Sequence, residues 1–355
     1  MIKPKELVSK MWRPAPDDSS RSDFFRFERN ERTTLYKEKE FNEIISTISS
    51  YDLVAYGELE PFYKKIIEWL NIDRSNLLLT SGSDAGIKSI YETYITEDDE
   101  VLITLPNYAM FSVYADMFGA KKINHYYEKD LTLNVDQLIH KINSKTKLVV
   151  ISNPGHTGAV IAESELVVVI EKAGLNKSLV LIDEAYHHFY PETMIDYIDR
   201  FENIVLTRTF SKAFGLASLR IGLLIGCKKI INELYKVKLV HEITGVAAKI
   251  GGYFVDHMDL VDQYVNEVNQ GKNVLYKRLG KTGFEVLKSE TNFVFFKTTV
   301  GVSPTNLKQY LEENCIFIKG PFSKHPFDNH LRITVGDEEQ MNIFCDTLDN
   351  FLINN

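Results

Sequence analysis

Cysteine is scarce in this chain: three residues in 355, at positions 227, 315 and 345. Their odd number, wide spacing and lack of a Cys-x-x-Cys pair exclude a disulfide framework and a thiolate metal site, and fit reduced thiols in a cytoplasmic protein. Long apolar runs are missing, so no membrane span is expected. The opening Met-Ile-Lys-Pro-Lys-Glu has no apolar stretch of the signal-peptide kind. Positive charge is not in excess either. A formal net charge of −8 argues against a general affinity for nucleic acid or anionic membrane. Repeats and low-complexity tracts are absent. His187 and His188 are adjacent, but no acid cluster matches them, and no metal is expected.

What is present is an ordinary globular composition, 44% hydrophobic and 25% charged, with length for one large domain and a smaller one. Residues 12–23, rich in proline and turn formers, predict an extended arm or loop. Pro61 opens a helix with Phe62, Ile66, Trp69 and Leu70 on one face. Short apolar runs follow at 77–79, 101–104, 148–151, 179–182, 204–206 and 221–225. Helical patterns separate several of them, among them 163–173, with Gly174 as its stop. This alternation predicts an α/β domain whose mostly parallel sheet is flanked by helices. Past about residue 235 a long helical stretch over 229–279 and strand-like pieces at 293–296, 316–318 and 331–334 predict a smaller α+β domain.

The chemistry concentrates at residues 207–222. Lys212 lies between the apolar run 204–206 and a glycine-containing turn, with Ser211 beside it, Thr209 three residues back and Arg220 eight residues on. An amine can form a Schiff base with a carbonyl. Hydroxyls and a guanidinium can hold a phosphate. A cofactor bearing both an aldehyde and a phosphate suits the set, and pyridoxal 5′-phosphate (PLP) has both. Elsewhere Thr80 to Gly86 stands between a strand and a helix, where backbone amides favour phosphate, although Ser83 or Asp84 would equally cap the helix. Asp183 ends an apolar strand, a position where ligands gather in such sheets.

The segment S-K-A-F-G-L-A-S-L-R-I-G at 211–222 resembles the lysine segment of fold-type I PLP enzymes, and within them most resembles the histidinol-phosphate aminotransferase-like group. The resemblance implies an aspartate-aminotransferase-like fold. An arm (1–40) would join the small domain, with a large PLP-binding domain at 41–235 and a small C-terminal domain at 236–355. It further implies that Lys212 carries the cofactor. Ser83, Asp84, Thr209, Ser211 and Arg220 would serve its phosphate, Tyr108 would stack on its ring, Asp183 would face the pyridine nitrogen, and Tyr186 the phenolic oxygen.

Tyr56 in Ala55-Tyr56-Gly57 would reach the phosphate of a neighbouring subunit, making a homodimer with shared active sites. Arg332 in L-R-I-T-V-G would grip a substrate carboxylate. Lys319 stands where the group tends to have an arginine for a substrate phosphate, and Asn30 would lie near the substrate. One segment departs from the pattern. Where the family shows an N-P-x-N-P-T-G-like run, this chain has S-N-P-G-H-T-G at 152–158. Registering on Thr157-Gly158 puts Gly155 at the ring-contacting asparagine; registering on Asn153-Pro154 keeps Asn153 there, and His156 is a further alternative.

The implied activity is a PLP-dependent aminotransferase acting on a small amino acid or amino-alcohol phosphate, with glutamate as the amino donor. The alternative is an α-decarboxylase of a phosphorylated amino acid such as phosphoserine or threonine phosphate. A PLP-dependent transcriptional regulator is not expected, since no DNA-binding module fits before residue 40.

Overall fold

The computed structural model describes residues 2–13, 20–323 and 326–354; part of the arm expected over 12–23 lies outside them. The first strand is short, β1 (Phe25–Arg26). Seven strands then form one sheet: β2 (Leu77–Ser81), β3 (Glu100–Leu105), β4 (Lys121–Tyr126), β5 (Thr146–Ser152), β6 (Leu179–Asp183), β7 (Ile204–Thr209) and β8 (Ile221–Gly226). Their spatial order is β2-β8-β7-β6-β5-β3-β4. All neighbours run parallel except the two that pair with β8, which is the one reversed strand of the seven.

Every apolar run predicted as a strand is one. The inner strands are buried on both faces, as crossover helices require. Alternate residues serve opposite cores: Val149, Ile151, Val180 and Ile182 face one, Leu148, Val150, Leu179 and Leu181 the other. Strand β4 was not expected. Its sequence, Lys-Lys-Ile-Asn-His-Tyr, is mostly exposed, and its lysines suit an edge.

The helices are α1 (Glu6–Lys10), α2 (Glu38–Ser46), α3 (Tyr51–Val54), α4 (Glu60–Leu70), α5 (Gly82–Tyr94), α6 (Ala109–Met117), α7 (Val135–Lys141), α8 (Glu163–Leu175), α9 (Lys228–Val237), α10 (Gly245–Asp256), α11 (Met258–Leu279), α12 (Pro304–Glu313) and α13 (Glu338–Asn354). Helix α4 carries Pro61 in its first turn and buries Phe62 and Ile66, as predicted. Helix α8 runs past Gly174, and the Asn176 side chain closes it by donating to Lys172 O (2.9 Å). The helical stretch expected over 229–279 is three helices, not one. A loop separates α9 from α10, where Thr244 caps the latter by accepting from Ala247 N (3.1 Å).

Helix α10 sets Phe254 against Phe214, beside Lys212, so it packs with the large sheet although the pattern grouped it with the second unit.

Three further strands, β9 (Glu285–Val286), β10 (Phe293–Lys297) and β12 (His330–Thr334), make an antiparallel sheet in the order β12-β10-β9. The remaining strand, β11 (Ile316–Phe317), pairs in parallel with β1 (Phe25↔Ile316). Phe27 O also accepts from Thr334 N (2.7 Å). These bonds carry the chain entering from the N-terminus across the small sheet and down to the large one.

Candidate active site

The ends of β3, β5, β6 and β7 and the start of α5 converge on a cavity of about 380 Å³. Parallel strands release their next turns at one edge, so residues far apart in sequence meet there. Arg29, Asn30, Lys319 and Arg332 close the cavity from the arm and the small sheet. Of the residues singled out in the sequence, Asn30, Ser83, Asp84, Tyr108, Asp183, Tyr186, Thr209, Ser211, Lys212, Arg220, Lys319 and Arg332 all line it. Two do not.

Asn153 turns its amide into its own loop: Nδ2 donates to Ile161 O (3.1 Å) and Oδ1 accepts from Ile161 N (2.9 Å). Both ends are spent, so it does not face the cavity. Tyr56, 78% exposed, stacks on His241 and borders a separate cavity of about 200 Å³ with Lys65 and Lys249. His187 and His188 are also outside the site; His188 stacks on Trp69 with ring centroids 5.8 Å apart.

Lys212 Nζ donates to Arg29 O (3.4 Å) and lies 5.8 Å from the Tyr186 ring centre. Burial first, then the charge of Arg332, pushes its pKa down to about 8. Asp183 is pushed the other way. Burial lifts it to about 6, against the hydrogen bonds it accepts from Thr207 Oγ1 (2.8 Å) and Ala185 N (3.2 Å). Tyr186 accepts from Asn30 Nδ2 (2.9 Å), and burial raises its hydroxyl to about 12. Asn30 is itself held at both backbone ends: its N–H donates to Thr334 Oγ1 (2.9 Å), and its carbonyl accepts from Asn292 Nδ2 (3.1 Å). Arg332 donates to Glu28 O (2.9 Å), while its Nε is buried without a hydrogen-bond partner.

The opposite end of the cavity is built for an anion. Helix α5 begins at Gly82, whose N–H donates to Arg220 O (2.8 Å). Gly82 has φ +73°, and a Cβ there would stand 2.4 Å from Arg220 Nη2. The guanidinium therefore occupies the space that a side chain would fill, beside the helix N-terminus with its unpaired amides. Thr209 Oγ1 donates to Ser211 Oγ (3.0 Å) and accepts from Ser211 N (3.1 Å), setting two hydroxyls next to them. Asp84 ties this end to the aromatic wall by accepting from Tyr108 (3.3 Å) and Tyr114 (3.0 Å).

His156, the further alternative for the ring-contacting asparagine, lines the cavity as well; Arg29 and Asn107 are polar lining residues that were not singled out in the sequence. Asn107 adjoins Tyr108 and accepts from Ser152 Oγ (2.7 Å), a contact between two loops that no local motif announces.

A phosphorylated aldehyde fits this donor set. The anion end suits its phosphate, Lys212 its aldehyde, and the buried acid a protonated ring nitrogen. The fold and the cavity together define a PLP-dependent enzyme. The sequence pattern of the class I and II aminotransferases matches residues 34–348. The chain belongs to that family.

A histidinol-phosphate aminotransferase of Caldanaerobacter subterraneus subsp. tengcongensis is 29% identical over 333 residues, covering 92% of this chain and 93% of that protein. Among solved structures, the histidinol-phosphate aminotransferase of Sinorhizobium meliloti in complex with PLP superposes with a TM-score of 0.87 at 18% identity, over 98% and 96% of the two chains. The L-threonine-O-3-phosphate decarboxylase of Porphyromonas gingivalis shares the fold at TM-score 0.76 and 20% identity, over 91% and 99%.

Proposed function

We propose that this aminotransferase acts on a small amino acid or an amino-alcohol phosphate, with glutamate as the amino donor. One observation carries the substrate class. Lys319 and Arg332 face each other across an antiparallel bridge, with N–H···O bonds of 3.0 and 2.8 Å in the two directions. Residues so paired project from the same face of the ladder, and like charges there repel. A substrate that brings anionic groups to both relieves the repulsion. Arg332 offers a planar fork for a carboxylate, and Lys319 a point charge for a phosphate or second carboxylate.

Bound PLP supplies an electron sink for the charge left at the substrate carbon. Lys212 would hold the cofactor through Nζ; once an incoming amine has displaced it, the freed amine, neutral in a large share of molecules near pH 8, would take the proton from that carbon. Asp183 is ionised at neutral pH and favours a proton on a ring nitrogen set against it. Tyr108 would pack the ring, and Ser83, Ser211 and Arg220 would anchor the phosphate. Tyr186, fixed by Asn30, presents its hydroxyl to the ring edge. We also infer a homodimer in which Tyr56 reaches across to a second copy. The exposed apolar side chains of Leu53, Val54, Leu239 and Val240, near Tyr56, support a covered face.

The test is single-turnover reaction of the PLP-loaded protein with glutamate. Loss of the visible band with release of 2-oxoglutarate supports the reading. An unchanged band with glutamate, but carbon dioxide released from phosphoserine or threonine phosphate, replaces it with the decarboxylase.

A further inference from the structure

The loop after β5 runs beside the cavity, and its polar side chains are committed unequally. Asn153 is consumed by Ile161. Position 155 has no room for a side chain. A Cβ on Gly155 would lie 2.9 Å from the Tyr127 hydroxyl, and that hydroxyl is held by the side chains of Thr104 and Thr157. The remaining candidate, His156, does line the cavity. Its ring lies 5.9 Å from Tyr108 at 24°, and 5.8 Å from Tyr186 at 73°. Its Nδ1 is buried with no hydrogen-bond partner.

Burial, with the charges of Arg332 and Lys212, pushes the imidazole down to about 3. At neutral pH it therefore has one N–H donor and one acceptor. A buried polar atom left unmet is costly, so a bound molecule is expected to meet it.

The phenolic oxygen of PLP is the ring substituent that the phosphate cradle, Lys212 and Asp183 leave unattended. We propose that an imidazole N–H of His156 donates a hydrogen bond to this oxygen, alongside Tyr186, doing the work that neither Asn153 nor residue 155 is placed to do. The proposal rests on the reading of this cavity as the PLP site. The bond has a definite electrostatic consequence. A donor to the ionised oxygen weakens that oxygen's hold on the proton of the neighbouring Lys212–cofactor nitrogen, so the proton leaves at lower pH.

The test is a pH titration of the visible absorbance of bound PLP in wild type, His156→Ala and His156→Gln, with folding checked by circular dichroism. His156→Ala is expected to raise the midpoint by about one to two pH units. His156→Gln, which keeps an N–H donor, is expected to restore much of the shift. A midpoint in His156→Ala equal to wild type overturns the proposal while leaving the site assignment standing. A rise that His156→Gln does not reduce also overturns it, in favour of a packing role. Failure of wild type to give any lysine-dependent band overturns the cofactor reading of the cavity and this proposal with it.

Discussion

Lys212 sets the pH range in which the site can be loaded. A free lysine amine is mostly protonated until about pH 10.4, whereas here burial and Arg332 bring the value to about 8. The unprotonated amine is the nucleophile. The rate at which apoprotein captures PLP is therefore expected to climb with pH through about 8 and then level off, measured by stopped-flow absorbance. A rate still climbing at pH 10 would mean that the cavity does not depress the amine. Arg332 is the charge that most lowers Lys212 and one of those that lower His156, so it tunes the chemistry as well as gripping substrate. Its conspicuous motif gave away the residue and its charge. The direction of its influence on Lys212 depends on the small sheet folding over the large one, which no local pattern states.

Among the elements, the junction of β2, α5 and β8 is built with almost no slack. A Cβ on Gly222 would come within 2.2 Å of Gly82 C, as one on Gly82 would meet Arg220. Gly82→Ala must also adopt a left-handed backbone, at a cost of about 1–2 kcal/mol. Because the collision is with the anion-binding guanidinium, PLP affinity is expected to fall by about tenfold or more, which is about 1.4 kcal/mol. Pyridoxal, which lacks the phosphate, should lose less, and equilibrium dialysis with both compares them; an equal loss would mean a general collapse of the site.

This level was the most legible in the sequence, because runs such as Leu179–Ile182 carry their burial in their own composition. Strand β4 was not legible, since an exposed edge strand needs few apolar residues. Nor was the break between α9 and α10, where the Thr244 cap starts a new helix within an otherwise helical pattern. Asn153 misled for a similar reason: its fate is decided by Ile161, beyond the turn.

At the scale of the whole molecule, the buried histidines govern behaviour in acid. Burial pushes His156, His187 and His188 down to about 3 and His125 to about 4. A base whose folded pKa lies below its unfolded value of about 6.5 takes up protons more readily when unfolded. Stability is thus fully present above about pH 6.5 and drains away as pH falls toward the folded values, by on the order of 1 kcal/mol or more for each histidine by pH 5. Asp183, raised to about 6, and Glu242, also raised by burial, work in the opposite sense but are outnumbered by the histidines. The urea midpoint of the apoprotein is expected to drop between pH 7 and 5. A midpoint that holds constant would mean these rings are hydrated in solution.

The arm has a different kind of consequence. The family pattern begins at residue 34, yet Glu28, Arg29 and Asn30 supply the carbonyl against Arg332, the carbonyl against Lys212 and the amide on Tyr186. A chain trimmed to the pattern's first residue would lose Phe27 from the core and β1 from its pairing with β11, together with one wall of its reaction chamber. The working protein thus starts earlier along the polypeptide than the recognisable domain does, because the few residues that precede that domain belong to the core as well as to the cavity.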